Sequence, residues 1–461
     1  KAKRCDLLLD LCDALILAIG FKRILDVEAP AAFALAETLG DCSRALRACE
    51  SAITAISCEQ LGPGTGTPQW AEWAERADRN AKPDSKDRPF ADIAIGAMLC
   101  ATGKNRSGLK LLTKAFDSAR NQNDLNNSLI AAYMLLNYRT APRHAQKNVQ
   151  LAEELIGDSV LGVREYYRRT AFLLLAANSF LALGMRKKAE EVWSELRTSA
   201  KRTGQISFLL TSLGTDALLL LMDGRLEEVL NITQDIRSKG EEAGMPQSAN
   251  IIAGQAGNRA RLYLGRSLED LESRLRSVVK QFNMSGAIPM FCLVLANLGK
   301  NLDEVSKFLE QEVVRRPGIG TDEDETPNFI DPPFFEAAVL SGHKQAAELL
   351  LNRFAGTGVC TSGIWYPTCI PRHLGGAAAL LERYDEACKH YQEAIRICTE
   401  MKFRPELALS RLELAELLLK QFPQEKSEAI AHLDFAIAEF RDMKMQPSLE
   451  RALRHKEILK A

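Results

Sequence analysis

The chain is short of what most enzymes and membrane proteins need. It has six histidines in 461 residues, at 144, 343, 373, 390, 432 and 455. No HExxH, GxSxG or paired CxxC occurs, so zinc-hydrolase, serine-hydrolase and zinc-ribbon chemistry have little to stand on. A phosphate-cradling loop requires Gly-x4-Gly-Lys-Ser/Thr. The nearest stretch, Gly96 to Asn105, has six residues between its glycines and an Asn after Lys104, and fails twice. An excess of one charge is missing too: Lys and Arg total 59 against 60 for Asp and Glu, so no mean field draws nucleic acid or an anionic membrane. The most apolar run, Ala171 to Met185, contains Asn178 and Ser179 and is shorter than the roughly 20 residues that cross a bilayer. Strand-like alternation is nearly absent. These absences predict a non-catalytic protein with no membrane span, no metal and no cofactor.

Eleven cysteines, an odd number scattered through apolar stretches, predict reduced core thiols rather than a disulfide framework, and hence a cytoplasmic protein. A hydrophobic content of 46% with 26% charged residues predicts folded structure throughout. The chain opens at Lys1 without an initiator Met or a signal-peptide core, which suggests a piece of something longer.

What is present is a repeat. "LLERYDEACKHYQEAI", from Leu380, interrupts its apolar spacing at Glu382-Arg383-Tyr384-Asp385, and related words recur as "LGMRKKAEEVWSEL", "MDGRLEEVLNIT" and "SGHKQAAELLLNRF". Aligning their turns puts Gly103, Gly184, Gly224, Gly265, Gly299, Gly342 and Glu382 in one register, at intervals near 40 residues with one double step. Glycine suits the position after a helix end, where positive φ stops the helix cheaply; Glu382 has to stop its helix without that help. After each turn comes a small or apolar residue, such as Ala189, Val229, Ala347 or Ala387, that lets two antiparallel helices approach. A helix pair of this size has a face it cannot bury alone, so pairs must stack. The expected fold is all-α: a right-handed superhelical solenoid of about ten or eleven tetratricopeptide-like pairs. One continuous array runs over 1–461. Within it, 1–60 forms N-terminal repeats, and 61–90 is an irregular insertion whose Trp70, Trp73, Ala74 and Ala77 predict a short helix. Central repeats span 91–315, two long loops flank a repeat over 316–375, and C-terminal repeats with a cap fill 376–461.

At "CIPRHLGGAAALLERYDEACKHYQEA", "RPELALSRLELAELLL" and "DMKMQPSLERA" the chain resembles the C-terminal helical-repeat region of bacterial STAND-type signalling ATPases, among them adenylate/guanylate cyclase-like and LuxR- or maltose-regulator-like proteins. The likeness extends more weakly to "AIGAMLCATGKNRSGLKLLTKAFDSAR" and "APRHAQKNVQLAEEL". It implies a module that senses a small-molecule effector or a protein partner and relieves autoinhibition. It also implies a nucleotide-binding module upstream in the same polypeptide if this chain is a fragment. A stand-alone adaptor that scaffolds a protein partner is the alternative.

Repeat arrays bind through the first helix of each pair, so polar or aromatic residues interrupting apolar first helices are the candidates. These are Tyr133, Asn137, Tyr138, Arg139, Tyr166, Tyr167, Arg168, Asn178, Asp216, Asn258, Arg259 and Arg261, on a concave face spanning about 133–261. Trp365, Tyr366, Arg372 and His373 are assigned to a loop that could cover the groove. Each also has an ordinary reading: Tyr and Asn satisfy interhelical carbonyls, and Arg rows solvate a face. The "REYYRR" cluster mixes aromatic and basic groups, but on a near-neutral chain it argues little for direct nucleic-acid binding. Cys360, Cys369 and His373 have a metal-like spacing without a fourth ligand in sequence, since Cys388 and His390 point to different helix faces. The acidic run Asp322 to Glu325 reads as a solvated connector.

Overall fold

The computed structural model describes residues 1–18, 20–59, 64–157, 163–282 and 285–458; within these, the side chains of 17, 58, 59, 163–168, 203, 281, 282 and 285 are left out of the description. All regular structure among the described residues is helical, and helices adjacent in sequence pack on one another. No helix among them is long and apolar enough to cross a membrane.

The turn register is present in the backbone. Gly103, Gly184, Gly224, Gly265, Gly299, Gly342 and Glu382 all have φ between 61° and 83°. Each donates its N–H three residues back while the next N–H reaches five back, as in Gly224 to Leu221 and Arg225 to Leu220 (3.1 and 2.9 Å). The same pair forms at Glu382, whose N–H donates to the Ala379 carbonyl while the Arg383 N–H donates to that of Ala378. It sits at φ 63°, a region that costs a residue with a Cβ about 1–2 kcal/mol. Its exposed ion pair with Lys344 (3.0 Å) offsets little of that. We therefore expect Glu382→Gly to raise the unfolding free energy by about 0.5 kcal/mol, read from the urea midpoint.

A second series of left-handed turns joins one pair to the next: Asn123, Gly244, Lys402 and Lys444, with the same bonding. Only one of these is glycine, so the series is nearly silent in the sequence.

The chain divides into two compact units, one of 1–139 with 151–175, the other of 140–150 with 176–461. In the smaller unit the helix Pro68–Asn80 buries Trp70, Trp73, Ala74 and Ala77, the four positions whose spacing predicts it. Trp70 Nε1 donates to the Ala94 carbonyl (3.1 Å), and Trp73 meets Phe33 edge to face. Helices Arg88–Ala101 and Asn105–Asn121 cross where Gly96 and Gly108 face each other. A Cβ on Gly108 would collide with Cys100 and the Gly96 carbonyl, so the glycine that resembles part of a phosphate loop is a helix-crossing residue.

In the larger unit the first helices of successive pairs lie side by side: Ile206–Met222 on Pro246–Leu264, Ile288–Leu298 on Asp331–Ser341, then Ile370–Leu380 and Arg404–Gln421. Helices far apart in sequence also touch. Ile206–Met222 packs on Arg404–Gln421, and Pro246–Leu264 on Gln446–Ile458. The turns take part: Gly224 abuts Met443, Gly265 abuts Pro447, and Arg186 Nη1 donates to the carbonyls of Met401 and Lys402 (2.9 and 3.0 Å). Early and late repeats of this unit thus close on each other, and their first helices enclose an interior.

The acidic run is solvated only in its first half: Asp322 and Glu323 are exposed, whereas Asp324 and Glu325 are engaged. Asp324 is buried against Arg353 (2.5 Å), whose other nitrogen lies 2.7 Å from Asp331, and Arg316 also binds Asp331 (2.6 Å). Glu325 takes Arg143 (2.6 Å) and His144 (3.0 Å). Buried Arg353 needs the Asp324 carboxylate, and half-buried Arg143 takes Glu325, pairings that charge density along the sequence does not reveal.

Candidate functional site

The interior of the larger unit holds a network of charges carried by four first helices. On Pro246–Leu264, Arg259 and Tyr263 lie one turn apart on one face. Asp331–Ser341 supplies Glu336, Ile370–Leu380 supplies Arg372 and His373, and Arg404–Gln421 supplies Glu406 and, two turns on, Glu413. Pro371, at the start of its helix, fixes the φ that begins the turn. Arg372 and His373 therefore belong to a helix and not to the covering loop to which their sequence neighbours assign them.

Glu406, with none of its side chain exposed, is the hub. Its Oε1 accepts from Arg259 Nη2 (2.8 Å), Tyr263 Oη (2.5 Å) and Arg372 Nη2 (3.3 Å); its Oε2 accepts from Arg372 Nε (2.8 Å) and the Cys369 N–H (2.9 Å). Arg259 also binds Glu336 and Thr368 Oγ1 (3.1 Å), and Arg372 reaches Glu413 Oε1 (2.9 Å). The Thr368 hydroxyl meets His373 Nε2 at 2.7 Å.

Burial alone would raise the carboxylates, but Arg372 and Arg259 outweigh it and hold Glu406 far below its ordinary value. In the same way Arg259 and Arg372 hold Glu336 at about 2 against the effect of burial. Burial, reinforced by Arg372, lowers His373 to about 3, so its imidazole is neutral. Glu413 goes the other way: burial raises it despite Arg372 and Arg451. The network borders a cavity of about 160 Å³, lined by Arg259, Glu336, Arg372, His373, Glu413 and Arg451 and walled by leucines and valine. Arg259 Nε, buried, has no hydrogen-bond partner, and Glu413 meets Arg372 through Oε1 only. This is a small, polar, mixed-charge chamber with unused donor and acceptor capacity.

The other sequence candidates fall elsewhere. Asn178 Oδ1 accepts from the Ile364 N–H (2.9 Å) and so pins the 357–369 loop. In that loop Trp365 packs on Phe329 and Tyr366 Oη donates to the Gly286 carbonyl (3.1 Å). Asp216 pairs with Arg197. Asn258 and Arg261 lie on the face of their helix opposite Arg259. In the smaller unit Tyr133 lines an apolar cavity of about 60 Å³ with Trp70, Phe90 and Met134, beside half-buried Asn137 and Arg139. The Tyr138 hydroxyl, raised to about 12 by burial, bonds Thr65. The side chains of Tyr166, Tyr167 and Arg168 lie outside the described residues. Among the described residues no group of three His, Cys, Asp or Glu side chains could hold a metal ion. Burial raises Cys360 to about 12, leaving a neutral thiol.

Sequence reasoning missed Glu336, Glu406, Glu413 and Tyr263. The signal existed: Glu406 and Glu413 stand seven residues apart on the face of "RPELALSRLELAEL" that also carries Leu409, a polar residue on a stripe otherwise bound for the core. No family model matches this chain, and no curated protein matches it.

Proposed function

We propose that the chain is a non-catalytic sensing and interaction module built as a solenoid of tetratricopeptide-like helix pairs, and that the interior of its larger unit receives a small polar effector. The observation that carries this reading is the chamber bordered by Arg259, Glu336, Arg372 and Glu413, which joins early repeats to late ones. A molecule placed there would touch helices on both sides of the closure, so its binding would bias how tightly the early and late repeats engage. The lining carries the guanidinium groups of Arg259 and Arg372 together with the Glu413 carboxyl, which meets Arg372 through Oε1 alone, and this mixture suits a zwitterion of amino-acid size. No nucleophile with a lowered pKa stands beside a base in this chamber, which favours recognition over chemistry.

The resemblance to STAND-type signalling proteins supplies the context in which such a module would act: a nucleotide-binding module upstream in the same polypeptide, released when the repeats bind their effector. The reading frame before Lys1 tests that context. A Walker A motif in frame supports it, and a start codon immediately before Lys1 would favour a stand-alone scaffold instead.

The effector site is tested by thermal unfolding with single free L-amino acids, using acetate and methylammonium as one-charge controls. The expected result is a rise in Tm for at least one zwitterion, absent for both controls and lost in Glu413→Gln. No shift with any amino acid, or an equal shift in Glu413→Gln, would contradict the reading.

A further inference from the structure

Two helices of the larger unit, Ile370–Leu380 and Tyr384–Glu400, meet over a pair of glycines. A Cβ on Gly375 would lie 2.7 Å from the ring of Tyr391, and one on Gly376 would lie 3.7 Å from its hydroxyl, so only bare backbone admits this ring. Tyr391 is 4% exposed, yet its hydroxyl makes no hydrogen bond among the described residues. A buried phenol ordinarily finds a partner. This one lines a cleft of about 420 Å³, and Glu413 lines the same cleft. Glu413 Oε1 takes Arg372 (2.9 Å), while its Oε2 accepts nothing among the described residues. Ala379, Leu380 and Leu417 give the cleft an apolar side. Its other charges are engaged or turned to solvent: Glu416 holds Arg451 (2.7 Å) and His455 (2.9 Å), Lys344 pairs with Glu382 (3.0 Å), and Lys420 is exposed.

We propose that this cleft takes an alkylammonium group, with its charged head on Glu413 Oε2 and Tyr391 Oη and its stem along Ala379, Leu380 and Leu417. The free acceptors, one carboxylate oxygen and one phenol, suit a compact head whose donors turn freely. A guanidinium would need both carboxylate oxygens for its two-pronged bond, and Arg372 already holds one of them. The hydrocarbon stem of an amine lies well on apolar surface. An anion would meet the carboxylates of Glu382, Glu413 and Glu416 on the same lining. Electrostatics agree with the geometry. Burial raises the Glu413 carboxyl despite Arg372 and Arg451, so this group is short of the positive charge that a bound ammonium supplies. Burial, then Glu413, raises the Tyr391 phenol, which keeps its proton. Glu413 also borders the interior chamber, whereas Tyr391 lines the cleft alone, so Tyr391 distinguishes the two sites.

The test is a ligand-observed NMR titration of the full chain at constant ionic strength with Nα-acetyl-lysine amide and with cadaverine. Three controls accompany them: the Nε-acetylated form of the first, which keeps the stem and loses the charge, Nα-acetyl-arginine amide, and butyrate. Wild type is compared with Glu413→Gln, Tyr391→Phe and the exposed Glu393→Gln. The amines should bind wild type and Glu393→Gln alike, Glu413→Gln at least about tenfold more weakly, and Tyr391→Phe about fivefold more weakly. Tighter binding of cadaverine identifies a free diamine as the source, and tighter binding of the lysine amide a lysine side chain of a partner. Tyr391→Phe should keep the wild-type melting temperature, because the hydroxyl it removes has no partner; a merely structural hydroxyl would lower it. Absence of amine binding, affinity unchanged in Glu413→Gln or in Tyr391→Phe, or any control bound as tightly as the amines would overturn the assignment. Tyr391→Phe should also leave the response of the interior chamber to amino acids at its wild-type size, so the two sites fail separately.

Discussion

Replacing Glu406 by alanine is expected to cost about 3–5 kcal/mol, because two buried guanidinium groups lose the fully buried one of the two carboxylates they share, Glu336 being the other. The side chains of Arg259 and Arg372 are 4% and 5% exposed, so water cannot replace the lost partner. Tyr263 Oη and the Cys369 N–H lose their acceptor in the same step. The melting temperature should fall by on the order of 10 °C. The comparison that gives this meaning is Glu228→Ala, which removes an exposed, solvent-screened pair with Arg225 and should leave the melting temperature nearly unchanged. If both variants melt alike, Glu406 is not the hub that its contacts describe. Glu406 ties Pro246–Leu264 to Ile370–Leu380 and Arg404–Gln421, so the loss should appear first as loosening between early and late repeats of the larger unit.

Acid should destabilise the protein in two stages. His373 is held neutral down to about 3, whereas an unfolded histidine takes its proton near pH 6.5. Between those values the unfolded chain binds more protons than the folded one, so stability falls as pH falls, by about 1.4 kcal/mol per unit for each such group. His432, lowered by burial and by Arg411, acts in the same direction. Below about pH 4.3 the carboxylates join. Glu336 and Asp324 are held at about 2 in the fold, so the stability they contribute is complete above the unfolded value and is lost as pH falls towards 2. Urea midpoints measured from pH 7 to pH 3 should decline gently at first and then steeply. His373→Gln should remove about one proton's worth of slope from the upper stage and leave the lower one intact. A flat profile between pH 7 and pH 4.5 would mean that His373 is not buried as a neutral group.

What could be read from the sequence follows from what repeats locally. A glycine at a helix end has a physical signature, and its recurrence near every 40 residues located turns that the backbone places at positive φ. Asn123, Lys402 and Lys444 adopt the same conformation without that signature, which is why the turns between pairs leave little trace in the sequence. Arg259 stands out in the sequence as a polar residue in an apolar helix, and it converges with Arg372 and His373, which the sequence reading assigns to a covering loop. Their partners Glu336, Glu406 and Glu413 carry no comparable mark, because Glu in a helical stretch is ordinary. The pairing of Arg259 with Glu406 spans 147 positions and depends on how far successive pairs rotate, a quantity no single repeat encodes. Asn178 and Tyr138 show the converse case: each looked available and is engaged in an internal bond.

The most direct test of the interior as a sensing site is amide deuterium exchange on the whole chain, with and without a mixture of free L-amino acids. If the chamber takes such a molecule, amides of Pro246–Leu264 and Arg404–Gln421 should slow together, and in Glu413→Gln neither should respond. Exchange unchanged in both helices, or slowed in one alone, would contradict an effector that bridges early and late repeats.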